Sequence, residues 1–292
     1  MQATRRKKHW STTDIVIFIV MTLIALIIIV PFYNSIVISF STSRAYALNP
    51  VSMFPTEFSI GNYSYLISNG QIATGYKNTL IITLTGTALS MAASVMTAYA
   101  FSRPRFPGKR VLFLLMMFTM LFSGGMVPTY LLMKSLDLVN SRWGIILLVG
   151  ISTYNIVILK SGFEQTPAEL EEAAKIDGAN DLVIFFRVML PLQSALLATF
   201  TLFTAVAYWN EWFWSMLLIN TADKMTLQTV LRAIVAESAA GADASSGEAT
   251  VDIFTQGIKM AAVMLTMAPI MCFYPFLQKY FTKGVMVGAV KM

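Results

Sequence analysis

Charge is what this chain has least of. Only 12% of its 292 residues are Asp, Glu, Lys or Arg, while 56% are hydrophobic, and the mean hydropathy is +0.66. A soluble domain carries roughly twice that charged fraction. A water-facing globule is therefore excluded, and an integral membrane protein is indicated. Cysteine is nearly absent: Cys272 stands alone in an apolar run, which excludes an internal disulfide. The one histidine, His9, lies in a basic tail and gives metal binding no support. No G-x-x-x-x-G-K-[ST] stretch occurs, so the chain carries no P-loop for ATP. The apolar runs also lack the buried acidic and histidine relays of a proton-driven pump. Neither internal repeats nor low-complexity tracts are visible.

What is present is a set of long apolar runs. Six segments are long enough to span a bilayer: 15–39, 76–101, 111–133, 143–163, 192–219 and 258–280. Each reaches the roughly 20 helical residues that cross a ~30 Å hydrocarbon core. The first has a basic lead, Arg5 to Lys8, but is too long for a signal peptide and lacks a small-residue cleavage site. It reads as a retained helix. The chain holds 21 basic and 15 acidic residues, and the excess fits asymmetric membrane loops rather than nucleic-acid binding. With the N-terminus inside, 14 basic residues face the cytoplasm and 7 face outward. Both termini are then expected in the cytoplasm. The outer loop 220–257 carries GADASSGEAT, which reads as a flexible tip.

Between the fourth and fifth segments lies a polar island, Thr166 to Pro191. Its spacing predicts a short helix outside the bilayer. Thr166 stands as the cap, Pro167 at the first position, and Glu169 completes a capping box. Leu170 to Ile176 holds several strong helix formers, and Gly178 marks the stop. Such a helix in a cytoplasmic loop invites a docking partner; the bland alternative is a solvated amphipathic loop.

Glu172-Ala173-Ala174, then Asp177-Gly178-Ala179 and Leu190-Pro191, resemble the EAA loop of permease subunits of ABC-type importers. The stretches FSIGNYSY from Phe58, SGGMVPTYL from Ser123 and YWNEW from Tyr208 are similar to the sugar-importing branch, as is the C-terminal run from Gln278 to Lys291. The resemblance covers most of the chain and is nearest in pattern to MalG-like permeases for complex oligosaccharides. It implies an all-α membrane protein with six transmembrane helices, the type I importer permease fold, and a cytoplasmic EAA coupling helix. The expected division is a cytoplasmic tail 1–14, a permease domain 15–281 with its coupling loop at 164–191, and a cytoplasmic tail 282–292.

The resemblance further implies a bacterial inner-membrane location, a second homologous permease subunit, two ATPase subunits and an extracytoplasmic solute-binding protein. ATP and Mg belong to the ATPases, and this chain is no enzyme. Glu172, Ala173, Ala174, Asp177 and Gly178 are the expected coupling residues, with Glu172 facing a basic partner residue. The cargo is expected to be an oligosaccharide, with uronate-containing fragments such as alginate or pectin oligomers included. A permease for another polar solute, or a membrane scaffold that binds an ATPase without transport, remains the alternative.

Substrate-path candidates are Tyr208, Asn210, Glu211 and Trp214. Aromatic faces and polar edges suit sugars, yet Trp and Tyr also form ordinary interfacial belts. A carboxylate at the depth of Glu211 needs a protein interior or water around it. Gly124, Gly125 and Pro128 either bend the third span or end a helix. Relatives often have a further Pro near Ala195; its absence here points to a straighter start of the fifth span. Lys279, Lys283 and Lys291 either meet anionic lipid or reach the ATPases.

Overall fold

A computed structural model describes residues 11–68, 70–104, 107–243 and 254–289, without the side chains of 237–243 and 273–289. The architecture is helical, and among the described residues no strand forms beyond a single bridge between Ser41 and Phe58. In chain order the helices are α1 (Thr12–Ser39), α2 (Ser43–Leu48), α3 (Gly61–Ser68), α4 (Gln71–Ser102), α5 (Lys109–Leu121), α6 (Met126–Ser135), α7 (Arg142–Val149) and α8 (Thr153–Glu164). They continue with α9 (Ala168–Ile176), α10 (Asp181–Ile184), α11 (Leu190–Leu192), α12 (Ser194–Trp209), α13 (Phe213–Leu218), α14 (Leu227–Asp243) and α15 (Thr255–Ala289).

Two compact units emerge, residues 1–68 with 235–265, and residues 69–234 with 266–292. In the first, Ile15 to Val30 of α1 expose large apolar side chains on every side. A helix that is apolar all round needs lipid or protein about it. The chain leaves α1 through a packed corner, where Phe40 lies against Phe58 and Tyr63. The Asn62 amide there donates to the carbonyls of Ser39 and Ser41 at 3.0 and 3.2 Å.

In the second unit, α4 is the spine and packs chiefly against α8 and α12. Its inward face is small or polar, including Gly86, Ser90, Ser94 and Ala98. Small residues let helix backbones approach closely where lipid offers no hydrophobic drive for association. The closest approach is at Gly86, where an added Cβ would lie 2.5 Å from the Tyr208 ring. Toward the other end, Phe101, Leu159, Phe163, Ile184, Phe185 and Phe200 form the larger core cluster.

Three helices, α1, α4 and Thr255–Cys272 of α15, are long and apolar enough to cross a membrane, and three bent pairs bring the number to six. Three of these spans are bent, the third at Gly124, Gly125 and Pro128, where a bend was one of the two readings. The third breaks by 116° between α5 and α6, the fourth by 50° between α7 and α8, and the fifth by 81° ahead of α12. Gly125, with φ +86°, opens the chain at the first break, and Pro128 falls in the opening turn of α6. Proline is tolerated there because that N–H has no helical acceptor.

The straighter fifth span does not occur. A π turn at Phe185–Met189 runs into Pro191, which has no N–H to donate. The axis then turns at Gln193, whose side-chain amide donates to Gly162 O and Thr166 Oγ1. Part of the outer loop 220–257 is helix α14 rather than loop, and the rest of its small-residue tip, 244–250, lies outside the described residues. So do residues 1–10 of the expected 1–14 tail, whose last three residues already belong to α1. Helix α15 continues past residue 281 to Ala289.

Candidate functional site

Helix α9 has no buried residue and still holds a fixed place. Its start differs from the capping box expected at Thr166 and Glu169. Pro167 is the cap residue, without a side-chain cap bond, and the helix opens at Ala168. The Thr166 hydroxyl instead accepts from Gln193 Nε2 at 3.0 Å, a tertiary bond in place of the local cap.

The end of the helix is as expected. Gly178 adopts φ +81°, its N–H donates to Lys175 O at 3.0 Å, and Ala179 N–H donates to Ala174 O at 3.0 Å. These two bonds make a Schellman stop, which needs a residue at ease in the left-handed region. Ala174 and Ala179 pack together against the larger core cluster.

The inner face of α9 is held by charge. The Arg103 guanidinium, at the end of α4, donates to Glu171 Oε2. It also lies 4.3 Å from the Tyr99 ring centroid. Lys175 donates to the other Glu171 oxygen at 2.9 Å. Burial alone raises the Glu171 carboxyl, but the hydrogen bonds and charges of Lys175 and Arg103 outweigh it and hold the group below the ordinary carboxylate range. Glu164, one turn before α9, receives Lys160 at 2.6 Å and Lys109 at 3.5 Å, which ties α8 to α5. Arg103, Glu171 and Gln193 were not singled out in the sequence. The Arg103–Glu171 and Gln193–Thr166 bonds span 68 and 27 residues, so no local spacing marks them; only the Glu171–Lys175 pair, four residues apart, is local.

The outer face of α9 is unspent. Glu172, Ala173, Asp177 and Gly178 are exposed, whereas Ala174 is partly covered by the protein's own core. Ile176 is 86% exposed, and Leu182 and Phe186 just beyond it are 68% and 61% exposed. Exposed apolar groups beside a carboxylate are a surface of the kind that a partner covers.

The fifth-span candidates are placed differently. Tyr208 is 1% exposed, and its hydroxyl donates to Ile146 O at 2.8 Å. Asn210 is exposed at the end of α12 and donates to Val206 O at 3.0 Å. Glu211 Oε1 accepts the Trp214 N–H at 2.7 Å and so caps the first turn of α13. Trp212 is covered by the Arg232 guanidinium, 3.4 Å from its ring centroid. Trp214 is half-buried. The group is dispersed over two helices and the break between them. Among the described residues no cluster of metal-ligating side chains occurs.

The family model described as "Binding-protein-dependent transport system inner membrane component" matches residues 90–287. The chain is 41% identical over 279 residues to the polygalacturonan/rhamnogalacturonan transport system permease protein YtcP of Bacillus subtilis (strain 168), covering 95% of this chain and 98% of that protein. It is 40% identical over 267 residues to the protein LplC of the same organism, covering 91% and 90%. A chain in a solved bacterial ABC transporter involved in import of the acidic polysaccharide alginate superposes with TM-score 0.84. That chain is 32% identical, and the match covers 94% of this chain and 100% of that one.

Proposed function

Because this chain belongs to the family of binding-protein-dependent transport system inner membrane components, we propose that it forms half of the path by which an ATP-driven importer moves an acidic oligosaccharide across the inner membrane. Its fold is that of a type I ABC importer permease, and it is a membrane subunit without enzymatic activity of its own. ATP hydrolysis belongs to partner ATPases, which hold the nucleotide and Mg. The observation that carries the substrate class is full-length similarity to a polygalacturonan/rhamnogalacturonan permease and to a chain of an alginate importer.

The coupling role rests on α9. A helix transmits motion only if it is stiff and firmly attached. Its inner face is clasped to α4 through Glu171 and Arg103, its C-terminus is closed by Gly178, and its exposed face presents Glu172, Ala173, Ile176 and Asp177. A groove of an ATPase subunit is the fitting partner for that face. The inward distribution of basic residues supports cytoplasmic termini, a cytoplasmic α9 and contact with anionic lipid on that side. The remaining partners in this reading are a second, homologous permease and an extracytoplasmic binding protein. Of the fifth-span residues, Asn210 and Trp214 keep the surface needed to meet a passing sugar, while Tyr208 and Glu211 serve the packing and capping described above.

The test is a reconstituted complex with its binding protein. ATPase activity should rise when the binding protein is loaded with an oligouronate, and labelled oligouronate should enter the vesicles. A complex that hydrolyses ATP without stimulation and accumulates no sugar would instead mark a scaffold.

A further inference from the structure

Away from α9, the loop between α6 and α7 and the turn after α13 enclose a cavity of about 430 Å³ with α4 as its floor. That size lies within the range of small-molecule sites, roughly 300–1,000 Å³. Two cations, Arg142 and Lys224, line it against one carboxylate, Asp137; Asp223, adjacent to Lys224 in the chain, is not part of the lining. Trp143, 53% exposed, supplies an aromatic wall.

The rim is built rather than incidental. Asp137 and Asn140 adopt φ of 55° and 57°, the left-handed region, and are the only non-glycine residues to do so among those described. At Asp137 this is the stop of α6, with Asp137 N–H donating to Lys134 O at 3.2 Å and Leu138 N–H to Met133 O at 2.9 Å; at Asn140 no helix end requires it, and the surroundings over-determine it. Asn140 is over-determined in this way. Its N–H donates to Leu218 O at 2.7 Å, its Oδ1 accepts from Asn220 N–H and Thr221 Oγ1, and its carbonyl accepts Lys224 Nζ at 2.9 Å. Arg142 is aimed from below by Asn78, whose fully buried amide accepts from Arg142 Nε at 3.0 Å and donates to Asp223 O and Met225 O. Each cation thus has one neutral partner fixing its position, and among the described residues neither forms an ion pair within 4.0 Å. Asp223, held below the ordinary carboxylate range by the Thr221 hydrogen bond and then by the charges of Lys224 and Arg142, shares their field without bonding either, so their remaining N–H donors stay open to a ligand.

We propose that this cavity is a binding subsite for one uronic-acid unit. The carboxylate meets Arg142 and Lys224, ring hydroxyls donate to Asp137, and an apolar sugar face lies on Trp143. Charge-assisted bonds from fixed donors give the selectivity for the acid over the neutral sugar. The assignment rests on the import reading and on the outward orientation of this rim.

Importer complexes in nanodiscs, without binding protein, would be titrated with trigalacturonate and with its carboxyl-reduced neutral counterpart, following tryptophan emission and direct binding. Wild type should bind the acid in preference, and Trp143→Ala should lose the emission change. Lys224→Gln and Arg142→Gln should each weaken trigalacturonate by about tenfold, the loss expected for a bond to a charged group. Both should leave the neutral trimer unchanged, and Asp137→Asn should weaken the two trimers alike. Equal affinity of wild type for both trimers, or equal losses for both in Lys224→Gln, would overturn the subsite. Uptake in vesicles separates the two readings. Binding as described without uptake of either trimer would sink the import reading alone, and uptake untouched by all four substitutions would sink the subsite alone.

Discussion

Two stretches of this chain look equally eventful in sequence: the segment from Thr166 to Ala179, proposed above as the coupling segment, and the aromatic segment from Tyr208 to Trp214. Folding treats them in opposite ways. In the aromatic segment Tyr208, Glu211 and Trp212 are engaged by the protein itself, through Tyr208 on Ile146, Glu211 on Trp214 and Arg232 over Trp212, and Trp209 is buried with its indole N–H unpaired. In the coupling segment only the inner face is used, by Arg103, Lys175 and the Ala174–Ala179 contact. Glu172, Ala173, Ile176 and Asp177 are left over. A residue whose chemistry is consumed inside the fold supports shape, whereas one whose chemistry is unspent is available to a partner. Substitutions in the first region should therefore damage the protein, and those in the second should damage transport in an intact complex.

The sharpest contrast comes from two glycines. Gly86→Val puts a side chain into the Tyr208 ring, where an added Cβ already falls at 2.5 Å. Overpacking of that kind costs about 1–3 kcal/mol or more, and the membrane level of the complex should fall steeply. Gly178→Val meets no atom within 4 Å but must hold φ +81°. The strain is about 1–2 kcal/mol and falls on the turn that fixes α9. Uptake should vanish while the complex remains in the membrane, and Glu172→Lys should do the same through the exposed face. Quantifying the complex beside uptake distinguishes these outcomes.

Next in size is the clasp. Arg103→Glu should cut uptake by about tenfold, the scale of losing a charged hydrogen bond. Adding Glu171→Arg should restore much of it. No recovery would mean that the pair does not position α9.

A smaller effect concerns pH. The Glu171 carboxyl lies below its ordinary value of 4.5, so its bonding contributes fully above that pH and is lost as pH falls through the lowered value. Thermal unfolding of wild type and Glu171→Gln should differ by a constant amount from neutral pH down to 4.5 and converge in stronger acid. The smallest effect is expected for Glu211→Gln. The amide oxygen still caps Trp214, so apparent affinity for sugar should shift by less than about twofold. A large rise would return Glu211 to the substrate path.

How much of this was legible follows the range of the interactions. The stop at Gly178 depends on its own few residues and was readable. The start lies one residue later than expected, with Pro167 rather than Thr166 as cap, and the Thr166 hydroxyl is engaged by Gln193 across 27 residues. Five of the six apolar segments coincide with long helices or bent pairs, since hydropathy measures what lipid or core will accept; the fifth, 192–219, only overlaps its pair, which runs from Asp181 to Trp209. The 116° bend falls at Gly124 and Gly125, where a bend was one of the two readings, whereas the 50° and 81° bends carry no such local mark. The cavity beside α4 had none either: Asn78, Arg142 and Lys224 come from three separate segments.

The most direct measurement of the central claim is a disulfide or bifunctional cross-link from a single thiol on the exposed face of α9. With Cys272 replaced by serine, Ala173→Cys would be the chain's only thiol. It should cross-link to the ATPase subunit in membrane vesicles and resist reagents confined to the outside. Labelling from the outside, or a complete complex in which Cys at position 173 never reaches the ATPase, would contradict the account.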